Sequence, residues 1–205
     1  QIVQSLEAIA VEIRKQVDNM IIPQPEVIAP VSEVIASQDQ VNQYTDPRDG
    51  QTYKTVKLLG KTWLAENLNY DIGEGCWFYD NDPENGEKYG RLYTWNAAMK
   101  ACPPGWRLPT YQEIEAVVDY YGSRTAAYKG LIKGGKSGFQ ALLGGYFGVG
   151  QKRSFLRFGA GGDYWSATVA KINNAYYYHF SRKGEQLTQS NNNQEFGFSV
   201  RCLRD

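Results

Sequence analysis

The residues that most often carry metal or nucleophilic chemistry are scarce in this chain. It has one histidine, His179, and three cysteines, Cys76, Cys102 and Cys202. A single imidazole excludes a multi-histidine zinc centre and leaves a Ser-His-Asp triad only that one residue to use. The cysteines are too far apart for a CxxC zinc or redox motif, and an odd number allows at most one internal pair. Spacing alone leaves that pairing open. Asp80, Asp82 and Glu84 alternate as in a calcium loop, but Gly86 falls one place late for an EF-hand and no bidentate Glu closes the loop. A solvated acidic turn is the expectation there, with no metal and no cofactor. Glu113 and Glu115 lie on an expected helix, where capping already explains the first. No motif sets a base beside Cys76, so no enzyme is expected.

Residues 171–195 point elsewhere, for they are almost wholly Asn, Tyr, Ser, Gln and charge. These residue types build antibody paratopes, because Tyr gives large contact area at low entropy cost and short polar side chains give adaptable hydrogen bonds. Asn and Gly disfavour regular strands, so the framework around this stretch must supply its order. Composition agrees with recognition. The 205 residues carry 22 Lys+Arg against 22 Asp+Glu, which requires neither a nucleic-acid partner nor an anionic membrane surface. No stretch nears the roughly 20 apolar residues of a membrane span, so no membrane insertion is expected. The 15 Tyr, 8 Phe, 5 Trp and 21 Gly are the unusual counts.

The elements that must position these residues are read from periodicity. Ile2, Leu6, Ile9, Ile13, Val17 and Met20 recur at steps of three and four, an amphipathic helix that packs on its own domain or self-associates through residues 2–20. Pro23, Pro25 and Pro30 mark a connector up to residue 43, with one short helical turn from Ser32 to Ser37. Tyr53–Leu59 and Lys61–Ala65 read as strands joined at Gly60 by a tight turn. A helix is expected over 88–102 with Leu92, Trp95, Ala98 and Met99 on one face, and Pro103-Pro104-Gly105 after it. A second begins at Thr110, whose capping box with Glu113 is explicit, and runs to Gly122. From Gly134 the chain turns Gly-rich, with short strands and a closing strand over 196–203. Two helices followed by an irregular β-rich half is an α+β pattern.

Six phrases occur in order: Tyr53-Lys-Thr-Val-Lys57, Trp63-Leu-Ala-Glu-Asn-Leu-Asn69, Lys88-Tyr-Gly-Arg-Leu-Tyr-Thr-Trp95, Cys102-Pro-Pro-Gly-Trp-Arg-Leu-Pro109, Tyr164-Trp-Ser-Ala-Thr168 and Gly197-Phe-Ser-Val-Arg-Cys202. Together they resemble the Fibrobacter succinogenes major paralogous domain, a family of surface and secreted proteins with a C-type-lectin-like fold. The resemblance covers about residues 44–205 and leaves 1–43 as an appended helix and connector. It implies a C-type lectin-like fold of two helices, short twisted antiparallel strands and long loops. It also implies a disulfide between Cys102 and Cys202, stabilising by up to about 4–5 kcal/mol in the chain-entropy model. Members often carry a cysteine near position 86 to pair with one like Cys76; Gly86 stands here, which leaves Cys76 a lone thiol. Trp95, Trp106 and Trp165 sit in framework phrases and are expected in the core. The Glu-Pro-Asn, Gln-Pro-Asp and Trp-Asn-Asp motifs of calcium-dependent sugar binding are missing.

The rich segment also resembles the variable region of diversity-generating retroelement targets, in which adenines near the 3′ end of a gene are rewritten and Asn codons become Tyr, Ser, His, Asp, Thr, Ile or Phe. The resemblance implies a solvent-exposed, variable ligand-binding face over about 147–195. Its expected members are Gln151, Lys152, Arg153, Leu156, Arg157 and Asp163 from an earlier patch. From the rich segment come Lys171, Asn173, Asn174, Tyr177, Tyr178, His179, Ser181, Arg182, Glu185, Gln186, Thr188, Ser190, Asn191, Asn192 and Asn193. The expected partner is a protein or glycan on another cell or surface, with an extracellular, cell-surface or virion location. An ordinary adhesin or structural domain of the same fold is the alternative. An enzyme of the formylglycine-generating type, which shares the broad fold, is the more distant rival.

Overall fold

A computed structural model of the chain describes residues 42–150 and 153–205. The helix expected over 2–20, the turn at 32–37, most of the connector, Gln151 and Lys152 lie outside the described residues.

The first described segment is a meander. Strands β1 (Asn42–Thr45), β2 (Thr52–Leu58) and β3 (Lys61–Leu64) run antiparallel, and β3 pairs in turn with the last strand, β11 (Leu203–Arg204). Leu59 and Gly60 both take positive φ, 49° and 76°, the conformation a two-residue hairpin turn requires. Alternation along β2 buries Tyr53 and Thr55, and Tyr53, Leu64 and Leu68 enter the first core cluster.

The single helix expected over 88–102 is three elements. Helix α1 (Pro83–Tyr89) starts at Asp82, whose side chain accepts from Glu84 N–H, so that acidic residue is a cap. Gly90 ends it at φ 71°, where a Cβ would lie 2.7 Å from Leu68 O. Leu92–Tyr93 (β5) pairs with Cys76–Trp77 (β4), and only then does Thr94 cap α2 (Trp95–Ala101). Leu92 is buried by the strand, while Met99 is 46 % exposed. The apolar spacing was real, but the left-handed glycine interrupts it.

Helix α3 (Tyr111–Tyr120) carries the expected capping box in full. A further helix, α4 (Arg124–Leu131), follows directly, capped by Ser123. Its Gly130 and weak apolar pattern hid it, and the room at Gly130 is taken by the Tyr121 ring, 2.4 Å from where a Cβ would sit. A small hairpin, β6 (Tyr146–Val149) with β7 (Arg153–Leu156), leads into the longest strands.

Strands β8 (Gly161–Lys171), β9 (Asn174–Ser181) and β10 (Gln186–Asn193) form an antiparallel sheet in the order β10-β9-β8, with unbroken register between β9 and β10 and register shifts in the β8–β9 pairing after Trp165 and Val169. Thus the Asn/Tyr-rich stretch is a regular hairpin rather than loops, and its order comes from layers packed on both faces. On one face Val117, Val118, Ala127, Tyr128 and Leu131 of α3 and α4 meet Tyr164, Tyr178, Phe180 and Leu187. On the other, Trp165 and Ala175 meet Phe198, Val200 and Ala98. The closing segment is a strap, not one strand: Gly197, Phe198 and Ser199 bridge to Phe147, Tyr93 and Tyr164 before Leu203 joins β3.

Cys102 and Cys202 form a disulfide across 100 residues, and Cys76 is a buried free thiol. Trp165 is fully buried, Trp106 is 7 % exposed, and Trp95 is half-buried against the same cluster. Arg201, within the strap, has a buried side chain that donates to Asn67 Oδ1 at 2.8 Å, Leu64 O at 3.1 Å and Gln140 O at 2.7 Å. Burial without a carboxylate lowers its pKa, and these acceptors hold the charge in place. The architecture is α+β, with helices and antiparallel sheets. Among the described residues, no helix is long and apolar enough to cross a membrane.

Candidate recognition face

Side chains alternate along β9, so the residues expected on one surface divide between two. Tyr176, Tyr178 and Phe180 point at the helices. Tyr111 and Tyr176 rings lie 4.9 Å apart, and Tyr128 and Phe180 rings 6.1 Å apart. Tyr178 is 1 % exposed, with its hydroxyl 2.9 Å from Glu115 Oε1 and 3.1 Å from Tyr111 O. Burial, then the hydrogen-bonded Glu115 carboxylate, hold that phenol protonated far above its usual range. Tyr178 is therefore an interior residue and not part of a solvent-exposed face. Arg124 pairs with Glu115 at 3.1 Å and reaches Leu187 O at 3.4 Å, tying α4 to both α3 and β10.

The opposite side of β9 presents Tyr177, His179 and Ser181. Register sets these against Ser190, Thr188 and Gln186 of β10 and against Trp165, Asp163 and Gly161 of β8. The β8 half of this face is closed by the strap: Tyr177 and Phe198 rings are 4.6 Å apart and Trp165 and Phe198 4.3 Å. The β10 half is open, with Gln186 and Ser190 exposed and Thr188 and Asn192 half-buried.

Asp163, too, is interior rather than solvent-exposed. It is 2 % exposed, and its carboxylate receives His179 Nδ1 at 2.6 Å. Burial pushes that carboxyl upward, against the lowering effect of the His179 hydrogen bond. With Nδ1–H committed to Asp163, Nε2 of His179 accepts from Arg157 Nη1 at 3.4 Å, an assignment of tautomer made from the network. The Arg157 guanidinium also lies 5.9 Å from the centre of the Tyr146 ring. Tyr146 lies in the Gly-rich stretch that follows Gly134, where no local pattern marks it as a neighbour of Arg157. His179 thus spans a buried acid and a surface cation, with neither a hydroxyl nor a thiol hydrogen-bonded to it among the described residues.

The remaining expected members occupy the periphery. Lys171 and Asn173 are exposed at the β8–β9 turn, where Asn173 takes φ 60°. Arg182 and Glu185 are exposed at the β9–β10 turn, and Glu185 pairs with Lys129 at 3.3 Å. Asn174 donates to Asn191 Oδ1 at 3.2 Å, and Asn191 and Asn193 lie on the helix side of β10 but at its exposed edge. Leu156 is 41 % exposed beside Arg157. Arg153 stands apart from these, on a groove of about 490 Å³ that it shares with Glu74, Trp77, Asn96, Lys100 and Glu195.

The groups considered first for chemistry are committed to structure. Glu113 receives both guanidinium ends of Arg107 at 2.7 and 2.8 Å and Thr110 N–H at 2.8 Å. These bonds, led by Arg107, pull its pKa down to about 2. Burial raises the pKa of the Cys76 thiol, the reverse of an activated nucleophile. Among the described residues no group of three or more His, Cys, Asp or Glu is placed to hold a metal ion.

No curated protein and no solved structure matches the chain. A family model does match, over residues 43–204, from the first strand through the Asn/Tyr-rich hairpin to the last strand. The chain belongs to the Fibrobacter succinogenes major domain family (Fib_succ_major).

Proposed function

We propose that this chain is a non-enzymatic recognition protein with a C-type-lectin-like fold, and that the open side of the β8–β10 sheet is its ligand-binding face. The observation that carries the reading is the partition of the Asn/Tyr-rich hairpin. Its inward members pack on α3 and α4, while Tyr177, His179, Thr188, Ser190 and Asn192 stand on the other side, toward the open β10 half. A disulfide-tied frame beneath polar and aromatic side chains is the economy of a paratope, in which the contact residues change and the support does not.

We infer further that a diversity-generating retroelement varies this face, and that the ligand is a protein or glycan on another cell. The disulfide favours an extracellular, cell-surface or virion setting, since such bonds persist in oxidising compartments. Sequencing sibling copies of the gene tests the reading. Substitutions are expected at adenine-bearing codons for the outward positions, with an aromatic retained at 178. Substitutions spread without regard to adenines, or to the sheet face, would sink it.

A further inference from the structure

Arg157 stands out among the charged residues of the open face because it is held from behind. It is an exposed residue in the left-handed region at φ 60°, a conformation that non-glycine residues disfavour. Its carbonyl accepts Ala160 N–H and Gly161 N–H, each at 3.0 Å, which closes the turn into β8. Its guanidinium then meets His179 Nε2, whose other nitrogen is bound to the buried Asp163 carboxylate. The imidazole has a built seat. A Cβ at Gly161 would lie 2.5 Å from His179 Cε1, so the ring occupies space that only glycine leaves free. Among the described residues Arg157 makes no ion pair, and its remaining N–H donors have no described acceptor.

We propose that Asp163 and His179 are positioning residues that present Arg157 as the docking point for a carboxylate side chain of a protein ligand. The inference rests on the reading of this sheet face as the binding surface. A planar guanidinium matches a carboxylate with two parallel hydrogen bonds, and fixing it in advance removes the side-chain entropy that normally weakens an exposed pair. Asp163 and His179 supply that fixing: the carboxylate holds the imidazole as the tautomer whose free nitrogen accepts from Arg157. The Tyr146 ring flanks the guanidinium, and Tyr177 and Ser190 lie next to His179 and Thr188 in the register. Those neighbours are of the Tyr and Ser type that contacts proteins, which favours an Asp or Glu side chain over an acidic sugar.

The single histidine makes the test direct, because the Cε1–H signal of His179 is unique in the NMR spectrum of the chain. N-acetylglutamate amide, titrated at constant ionic strength against chloride, is expected to shift that signal saturably in the wild type and not in Arg157→Gln. His179→Phe, followed at the Arg157 Nε–H signal, should weaken binding at least about fivefold, whereas His179→Gln keeps an acceptor and recovers part of it. Equal affinity in those two variants would overturn the positioning role. Glucuronate should bind more weakly; equal or tighter binding would overturn the choice of a protein carboxylate. No saturable shift with either probe, or an unchanged shift in Arg157→Gln, would overturn the subsite. None of these results depends on gene diversification or on Tyr177, so failure here and failure of the wider reading are distinguishable.

Discussion

Tyr177 and Tyr178 are chain neighbours on opposite faces of one strand. Tyr178 is sealed against α3 with its hydroxyl on Glu115, while Tyr177 is half-buried opposite Ser190 with its ring against Phe198. Truncation should separate the two. Tyr178→Ala is expected to destabilise by about 3–5 kcal/mol, as for other buried aromatics, and Tyr178→Phe by about 1–2 kcal/mol through the unpaired Glu115 and Tyr111 acceptors. Tyr177→Ala should reduce ligand capture out of proportion to its smaller loss of stability. Chemical denaturation of the three variants alongside a binding assay checks this, and equal destabilisation at 177 and 178 would contradict the burial.

Thiol counting provides a second check. Cys76 is buried with a raised pKa, and Cys102 and Cys202 are joined. The native protein should react only slowly with a thiol reagent. Denaturation without reductant should release one thiol, and reduction all three present in the sequence. Replacing Cys102 and Cys202 together by Ala should lower stability by up to about 4–5 kcal/mol, the chain-entropy value for a loop of this length.

Glu113 gives the acid response a definite sign. Its folded pKa, about 2, lies below the ordinary glutamate value, so the unfolded state binds the proton more tightly. The stability it contributes is present above the unfolded value near pH 4.5 and is lost as pH falls toward 2. Because the side chain is only 16 % exposed, the contribution is of the order of 1–3 kcal/mol. Glu113→Gln should flatten the stability profile between those limits and cost that amount at neutral pH. Parallel urea melts at pH 3 and pH 7 measure both effects.

Gly161 and Gly162 adjoin in β8 but should fail differently. A methyl group at 162 would meet Leu142 O at 2.2 Å, a backbone atom held by its neighbours. At 161 it would meet the His179 ring, which can swing away. Gly162→Ala is therefore expected to lower Tm substantially. Gly161→Ala should spare most of the stability while breaking the contact between His179 and Asp163, visible as a shift of the single histidine signal.

What was legible beforehand was local. Thr110 and Glu113 announced a capping box, Gly60 a hairpin turn, and Tyr53 with Thr55 a buried strand face, because each depends on residues a few places apart. The family phrases carried the disulfide. The break at Gly90 was missed: its glycine is needed because Leu68 O and Asn67 approach it, and both belong to a distant segment. Helix α4 was missed for a similar reason, since its apolar face is defined by contact with β10 rather than by a clean period.

By itself the sequence determined the α+β frame, the caps and turns, and the position of the Asn/Tyr-rich stretch. It could not determine which of those residues face the interior and which face outward. Alternation by two assigns residues to two faces but does not label them when both faces carry aromatics. Only the tertiary structure decided that, by laying α3 and α4 over Tyr178 and by closing Trp165 under Phe198. Register across sixteen residues also brought His179 onto a buried Asp163 and within reach of Arg157. A pairing of that kind is written in no local pattern, because it exists only once the strands have docked.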